Sequence, residues 1–142
     1  MELPKIIKGN SFIDIRGTIY FNNSFDTSEI KRMYIIQNSS VDIIRGWQGH
    51  KVEQRWLSAL QGEFEIYLIK IDNWGTPSKD LQSIKYKLNS DKMNVLHVPP
   101  GFVSSIRSKK PASKLLAMSN YGIEEIKDEY RYENDYFKLN SK

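Results

Sequence analysis

Residues 53–71, EQRWLSALQGEFEIYLIKI, decide the fold. From Glu53 to Gln61 the side chains alternate. Arg55, Leu57 and Ala59 face one way and Trp56, Ser58 and Leu60 the other, which is the period of an extended strand. Gln61-Gly62 gives a tight reversal, and Glu63 to Ile71 follows as a second strand dense in β-branched and aromatic side chains.

The same grammar extends outward in both directions. Upstream, Ser11 to Ile15 and Thr18 to Phe21 lie on either side of an Arg16-Gly17 turn, and Ile30 to Gln37 is again β-branched and aromatic. Downstream, Asn73, Gly75 and Pro77 mark a loop that contains Trp74. Ser83 to Leu88 alternates lysines with Ile84, Tyr86 and Leu88, as a strand with one wet face does. Asn94 to Val98 and Phe102 to Ile106 flank Pro99-Pro100-Gly101, where prolines cannot continue a central ladder. Lys114 to Ser119 is the last strand, and the acidic, aromatic tail from Gly122 predicts a short helix followed by an extended arm. About eight to ten strands, with turns every eight to twelve residues, predict an all-β sandwich or barrel. No repeat, linker or composition break divides the chain, so residues 1–142 read as a single domain.

Composition narrows the class. The 142 residues are 39% hydrophobic and 27% charged, enough apolar material for one core and too much for a disordered chain. No apolar run is long enough to span a bilayer as a helix, and the opening MELPKIIKGN carries no secretory signal. With no cysteine, the chain has neither a disulfide framework nor a thiolate metal site, and a cytoplasmic location is expected. The net charge of +4 is spread along the chain. It lacks the clustered basic face that nucleic acid requires, and suits a small, doubly charged ligand instead.

Chemistry concentrates in residues 41–61, VDIIRGWQGHKVEQRWLSALQ. If Trp47 to His50 is extended, Gln48 and His50 share a face. Should that face line a barrel interior, Arg45, His50 and Arg55 converge on one cavity. A solvated strand face bearing a lone histidine is the competing reading. The arginines, set between apolar strands, favour the cavity.

These residues sit within a series of motifs that resembles the cupin-fold enzymes of nucleotide-linked deoxysugars, in two branches: dTDP-sugar 3,4-ketoisomerases and dTDP-4-dehydrorhamnose 3,5-epimerases. Asp14-Ile15-Arg16-Gly17 matches their D-x-R-G, and Ile30-Lys31-Arg32-Met33-Tyr34 is similar to the ketoisomerases' I-K-R-x-Y. Arg45-Gly46-Trp47-Gln48-Gly49-His50-Lys51 lies against R-G-x-H-x-H-K. Leu60-Gln61-Gly62-Glu63 follows, then Pro99-Pro100-Gly101-Phe102 against the epimerases' P-P-G-F, with Asn120-Tyr121 where they carry D-Y. The tail's Asp128-Glu129-Tyr130-Arg131 is similar to the end of epimerase-like members. The resemblance implies a cupin jelly roll (a double-stranded β-helix), a nucleotide-sugar ligand and a homodimer.

It also implies roles. His50 stands at the ketoisomerases' second histidine and becomes the acid and base. Tyr34 and Tyr121 become proton-moving tyrosines, and Tyr67 is a further ligand-contacting candidate by strand position. Arg45 and Arg55 suit a diphosphate, because the planar guanidinium fork matches its oxygens. Arg16 corresponds to a nucleotide-contacting arginine often supplied across a dimer interface. Two family histidines are replaced, by Gln48 and by Ser104. Glutamine has no basic nitrogen, so Gln48 orients a sugar oxygen without taking its proton. Of the usual cupin metal ligands only His50 and Glu53 remain, so neither metal nor other cofactor is expected. The reading is a cofactor-free 3,4-keto isomerisation. Its alternatives are an epimerase with a non-standard base and a sugar-nucleotide-binding module without catalysis. A third reading, a nucleic-acid-binding barrel, would need aromatics such as Trp47, Trp56 and Tyr67 exposed beside a basic groove.

Overall fold

The computed structural model describes residues 2–139. In chain order its strands are β1 (Lys5–Ile7), β2 (Asn10–Asp14), β3 (Gly17–Phe21), β4 (Arg32–Ile36), β5 (Ile44–His50) and β6 (Arg55–Gln61). They continue as β7 (Glu63–Lys70), β8 (Ser83–Asn89), β9 (Val95–Val98), β10 (Phe102–Ser108), β11 (Lys114–Ser119) and β12 (Tyr130–Arg131). One five-stranded sheet has the order β1-β9-β6-β11-β4, a second the order β12-β5-β10-β7-β8, and β2 and β3 pair only with each other. Neighbouring strands are antiparallel, so the expected all-β jelly roll is the fold observed. No described helix is long and apolar enough to cross a membrane.

Strand parity builds the interior. Leu57 and Ala59 of β6, Leu96 and Val98 of β9, and Leu115 and Ala117 of β11 face Phe64, Ile66 and Leu68 of β7 with Phe102 and Ile106 of β10. Each large side chain buried there contributes about 1.5–3 kcal/mol of transfer free energy. The opposite faces are covered as well. Trp56, Val95 and Met118 form a cluster outside the first sheet. Trp47, Tyr67, Ile69, Ile71 and Val103 lie outside the second, beneath Phe137, Tyr132 and Tyr136 of the tail. Burial on both faces explains why β6 and β7 read as nearly continuous apolar runs. The turn between them needs Gly62, whose φ is +75° and whose missing Cβ would meet Ser113 Oγ at 2.0 Å.

The tail departs from expectation. From Gly122 the structure shows turns in place of a short helix, with Glu124 at φ +58°, a left-handed value that interrupts helical hydrogen bonding. β12 then pairs with β5, and the aromatics beyond it seal Trp47, with Phe137 edge-on to that ring at 5.2 Å. Tertiary packing outweighs local helix propensity here. The expected arm runs on to residues 140–142, which lie outside the described residues. β1 and β12, three and two residues long, are strands that the alternation did not reveal.

Candidate active site

Between the two sheets lies a cleft of about 520 Å³, counting the part open to solvent. Its polar wall is Tyr34 from β4, Arg45, Gln48 and His50 from β5, Arg55 from β6 and Ser104 from β10, over an apolar floor that includes Leu57, Val98 and Phe102. Six of the nine residues singled out in the sequence therefore meet in one place. A β-bulge makes that convergence work. Opposite β10, His50 pairs with Phe102 and Gln48 with Ser104, but Arg45 pairs with Ile106. β5 thus spends three steps where β10 spends two. On a regular strand residues 45 and 48 face opposite ways, and the extra residue returns Arg45 to the cleft.

The centre of the site is an ion network. Arg55 donates from Nε to Glu53 Oε2 at 2.5 Å and from Nη1 to the Tyr34 hydroxyl, and its Nη2 lies 3.1 Å from His50 Nε2. Arg32 Nη2 and His50 Nε2 are each 3.7 Å from Glu53 Oε2. Arg32 and Arg55 also lie over the Tyr34 ring, at 5.2 and 5.6 Å from its centroid. A guanidinium has only donors, so its contact with His50 Nε2 makes that nitrogen the acceptor and leaves the ring proton on Nδ1. Burial holds the His50 pKa below its ordinary 6.5; the Arg55 charge adds to that, while Glu53, Asp128 and Glu129 oppose it. At neutral pH His50 is an unprotonated imidazole with a basic lone pair inside the cleft. Arg45 is steadied through Nε by Asn38 Oδ1 at 3.2 Å, which leaves its two terminal amino groups for a ligand.

This donor set does not fit a transition metal. Glu53 is already held by two guanidiniums, whose charge opposes a cation, and among the described residues no three His, Cys, Asp or Glu gather as ligands.

Three sequence candidates lie elsewhere. Tyr67 points away from the cleft. Phe64, Ile66 and Leu68 take the inward positions of β7, and strand parity sends Tyr67 to the outer cluster, where its hydroxyl donates to Glu65 Oε1 at 3.1 Å. Tyr121 follows β11 outside the cleft, with its backbone N–H on Ser119 Oγ at 3.1 Å and Lys31 Nζ 6.0 Å from its ring centroid. Arg16 sits at the tip of the β2–β3 hairpin, exposed and paired with Asp14 at 2.6 Å. The second histidine, His97, is a packed side chain stacked on Trp56 and bonded to Gln54 Oε1. Trp47, Trp56 and Tyr67 are buried, which removes the exposed aromatics that a nucleic-acid groove requires. Sequence reasoning gave no role to Arg32, Asn38 or Asp128. Arg32 stands two residues from Tyr34 on the same strand face, and that parity was available to find it; Asn38 and Asp128 lie outside strands and carry no periodic signal.

Two antiparallel sheets enclosing a polar cleft are the arrangement expected of a cupin. The chain belongs to the family described as FdtA, WxcM-like, C-terminal, which matches residues 2–141. No curated protein matches it in sequence. Among solved structures it is similar to the 3,4-ketoisomerase QdtA from Thermoanaerobacterium thermosaccharolyticum, a histidine-to-asparagine variant in complex with TDP-4-keto-6-deoxyglucose. That match has 25% identity and a TM-score of 0.69, over 94% of this chain and 90% of that one. A 3,4-ketoisomerase from Helicobacter canadensis is also 25% identical, with a TM-score of 0.65 over 86% of each chain. The dTDP-4-dehydrorhamnose 3,5-epimerase of Bacillus anthracis shares the fold at 18% identity, with a TM-score of 0.71 over 88% of this chain and 76% of that one. The protein is an isomerase/epimerase-like cupin.

Proposed function

We propose that this protein catalyses the cofactor-free 3,4-keto isomerisation of a dTDP-linked 4-keto-6-deoxyhexose, with His50 as acid and base. The observation that carries the reading is the placement of the His50 imidazole, its Nε2 3.1 Å from Arg55 Nη2, in a cleft walled by Tyr34, Arg45, Gln48, Arg55 and Ser104. His50 takes the proton from C3. The bonding pair becomes the C3–C4 double bond, and the C4 oxygen takes the negative charge. Arg55 turns from the imidazole to that oxyanion and stabilises it. The O3 hydroxyl proton passes to O4 by way of the Tyr34 hydroxyl. As the C3 carbonyl forms, the imidazolium, its proton exchanged with water, delivers a proton to C4. Gln48 and Ser104 hold sugar oxygens, and Arg45 grips the diphosphate with its free amino groups.

The working unit is a homodimer. Phe12, Ile13, Ile15, Ile19 and Tyr20 of the β2–β3 segment are exposed, as are Met33 and Ile35 of the edge strand β4. Apolar groups on an unpaired edge call for cover, and a second copy covers them while carrying Arg16 toward the neighbouring cleft.

The test is deuterium exchange. Incubation with dTDP-4-keto-6-deoxyglucose in deuterated water labels the sugar at C3 and at C4 of the product, and His50→Asn abolishes the labelling. Labelling at C5, with none at C4, assigns epimerisation. Retention of TDP with no labelling at any carbon assigns a binding module and sinks the proposal.

A further inference from the structure

The loop that joins β5 to β6 has four residues, Lys51 to Gln54, and separates His50 from Arg55. Its backbone N–H groups are all held by side chains distant in sequence. Asp128 accepts three of them, from Lys51 at 3.0 Å on Oδ1 and from Val52 and Glu53 at 2.8 Å each on Oδ2. Asn120 Oδ1 accepts the fourth, from Gln54 at 2.9 Å. Asp128 is only 7% exposed. The segment that carries it is fastened to the free edge of β5 by the Tyr130–Gly49 and Arg131–Gln48 pairs and by Tyr132 N–H on Trp47 O at 2.9 Å.

We infer that Asp128 is a positioning residue for the reaction, acting through the loop backbone to set His50 against Arg55. Its carboxylate presents two acceptor oxygens to three converging donors, and charge-assisted bonds of this kind are roughly twice as strong as neutral ones. Displacing this loop by an ångström moves the imidazole and the Glu53–Arg55 pair together, and catalysis is sensitive to misplacement on that scale. The carboxylate also adds negative charge near His50. The groups facing that imidazole are Arg55 and Glu53 from the loop and β6, with Asp128 and Glu129 from the tail; Arg32 of β4 reaches it only through Glu53.

The inference rests on the isomerase reading, so the test separates the two. Full-length wild type, Asp128→Asn and Asp128→Ala are compared by NMR titration of the His50 ring, by TDP affinity and by deuterium incorporation into dTDP-4-keto-6-deoxyglucose. Asparagine keeps the volume and accepts from Val52 and Glu53, but sets an NH₂ against the Lys51 N–H. The expected result for Asp128→Asn is at least a tenfold loss of kcat for exchange, with KM and TDP affinity within threefold of wild type. Its His50 titration moves to lower pH, because a neighbouring negative charge is gone. Asp128→Ala loses more, on the order of a hundredfold. A fall in thermal stability alone, with unchanged exchange and an unmoved His50 titration, overturns the inference. If wild type shows no exchange, the isomerase reading fails. The His50 titration and the loop amide shifts then judge the positioning by themselves, and unmoved values overturn it. If neither variant folds, the wild type decides: the Lys51, Val52 and Glu53 amides are expected to resist hydrogen exchange, and rapid exchange there refutes the three bonds.

Discussion

Replacing Arg55 by methionine tests the electrostatics of the site before any substrate is added. The substitution keeps an unbranched apolar stem but removes the partner that Glu53 holds at 2.5 Å. Both side chains are largely sequestered, at 15% and 9% exposure, so the orphaned carboxylate remains in a poorly solvated place. Removing one partner of a buried pair costs about 3–5 kcal/mol. Arg32 stays 3.7 Å from the same oxygen, which argues for the lower end, about 3 kcal/mol. Glu53→Gln is expected to cost about 2 kcal/mol, because Arg55 keeps the Tyr34 hydroxyl and His50 as acceptors. In the double variant no charge is stranded in the pair. Its destabilisation is expected to fall at least 2 kcal/mol short of the sum, a coupling of roughly the size contacting residues show. Urea unfolding followed by tryptophan fluorescence measures all four proteins, with the slope of the transition checked for constancy. Additive single effects, or an Arg55→Met cost below about 1 kcal/mol, would show that the pair is solvated and the network does not exist as described.

Three further outcomes are expected. Tyr34→Phe slows deuterium exchange by about a hundredfold or more, as loss of a proton-transferring group does, while Tyr67→Phe leaves it within about twofold because that hydroxyl faces the outer cluster; equal effects refute the parity assignment. The folded-state pKa values of His50 and His97 both lie below 6.5, chiefly through burial, so the fold prefers their neutral forms. Stability is then complete above pH 6.5 and declines as pH falls below it toward the folded values. Urea midpoints between pH 8 and 5 check this, and His97→Gln is expected to flatten the decline. Gly49→Ala brings a methyl within 2.2 Å of the Phe102 carbonyl oxygen and 2.7 Å of Val103, which forces β5 away from β10. A loss of about 3 kcal/mol is expected, and a neutral result would refute the close strand approach.

What the sequence revealed followed the two-residue period. Wherever an apolar position recurred between turn residues, as in β6, β7, β8 and β11, strand and boundaries were legible to within a residue or two. The period alone does not say which face of a strand is inside. In β7 Phe64, Ile66 and Leu68 pack inside the barrel while Tyr67 and Ile69 of the other face pack under the tail, so buried apolar side chains on both faces left Tyr67 open to assignment on either side. The convergence of Arg45 with Gln48 depends on a bulge, and bulges leave no mark in a hydrophobic pattern. The loop clasp by Asp128 bridges residues 75–77 positions apart, beyond the reach of any local rule.

That separation has a consequence for how the protein is made. A ribosome that has released residues 1–120 has supplied both sheets except β12, yet the loop beside His50 still lacks its anchor and Trp47 still lacks its lid. The clasp and the lid therefore form only when residues 128–137 emerge and β12 pairs along the border of β5. Late closure of so distant a contact is intrinsically slow. Until that pairing forms, Trp47, Tyr67 and Ile69 stay uncovered, an apolar surface open to association with other chains.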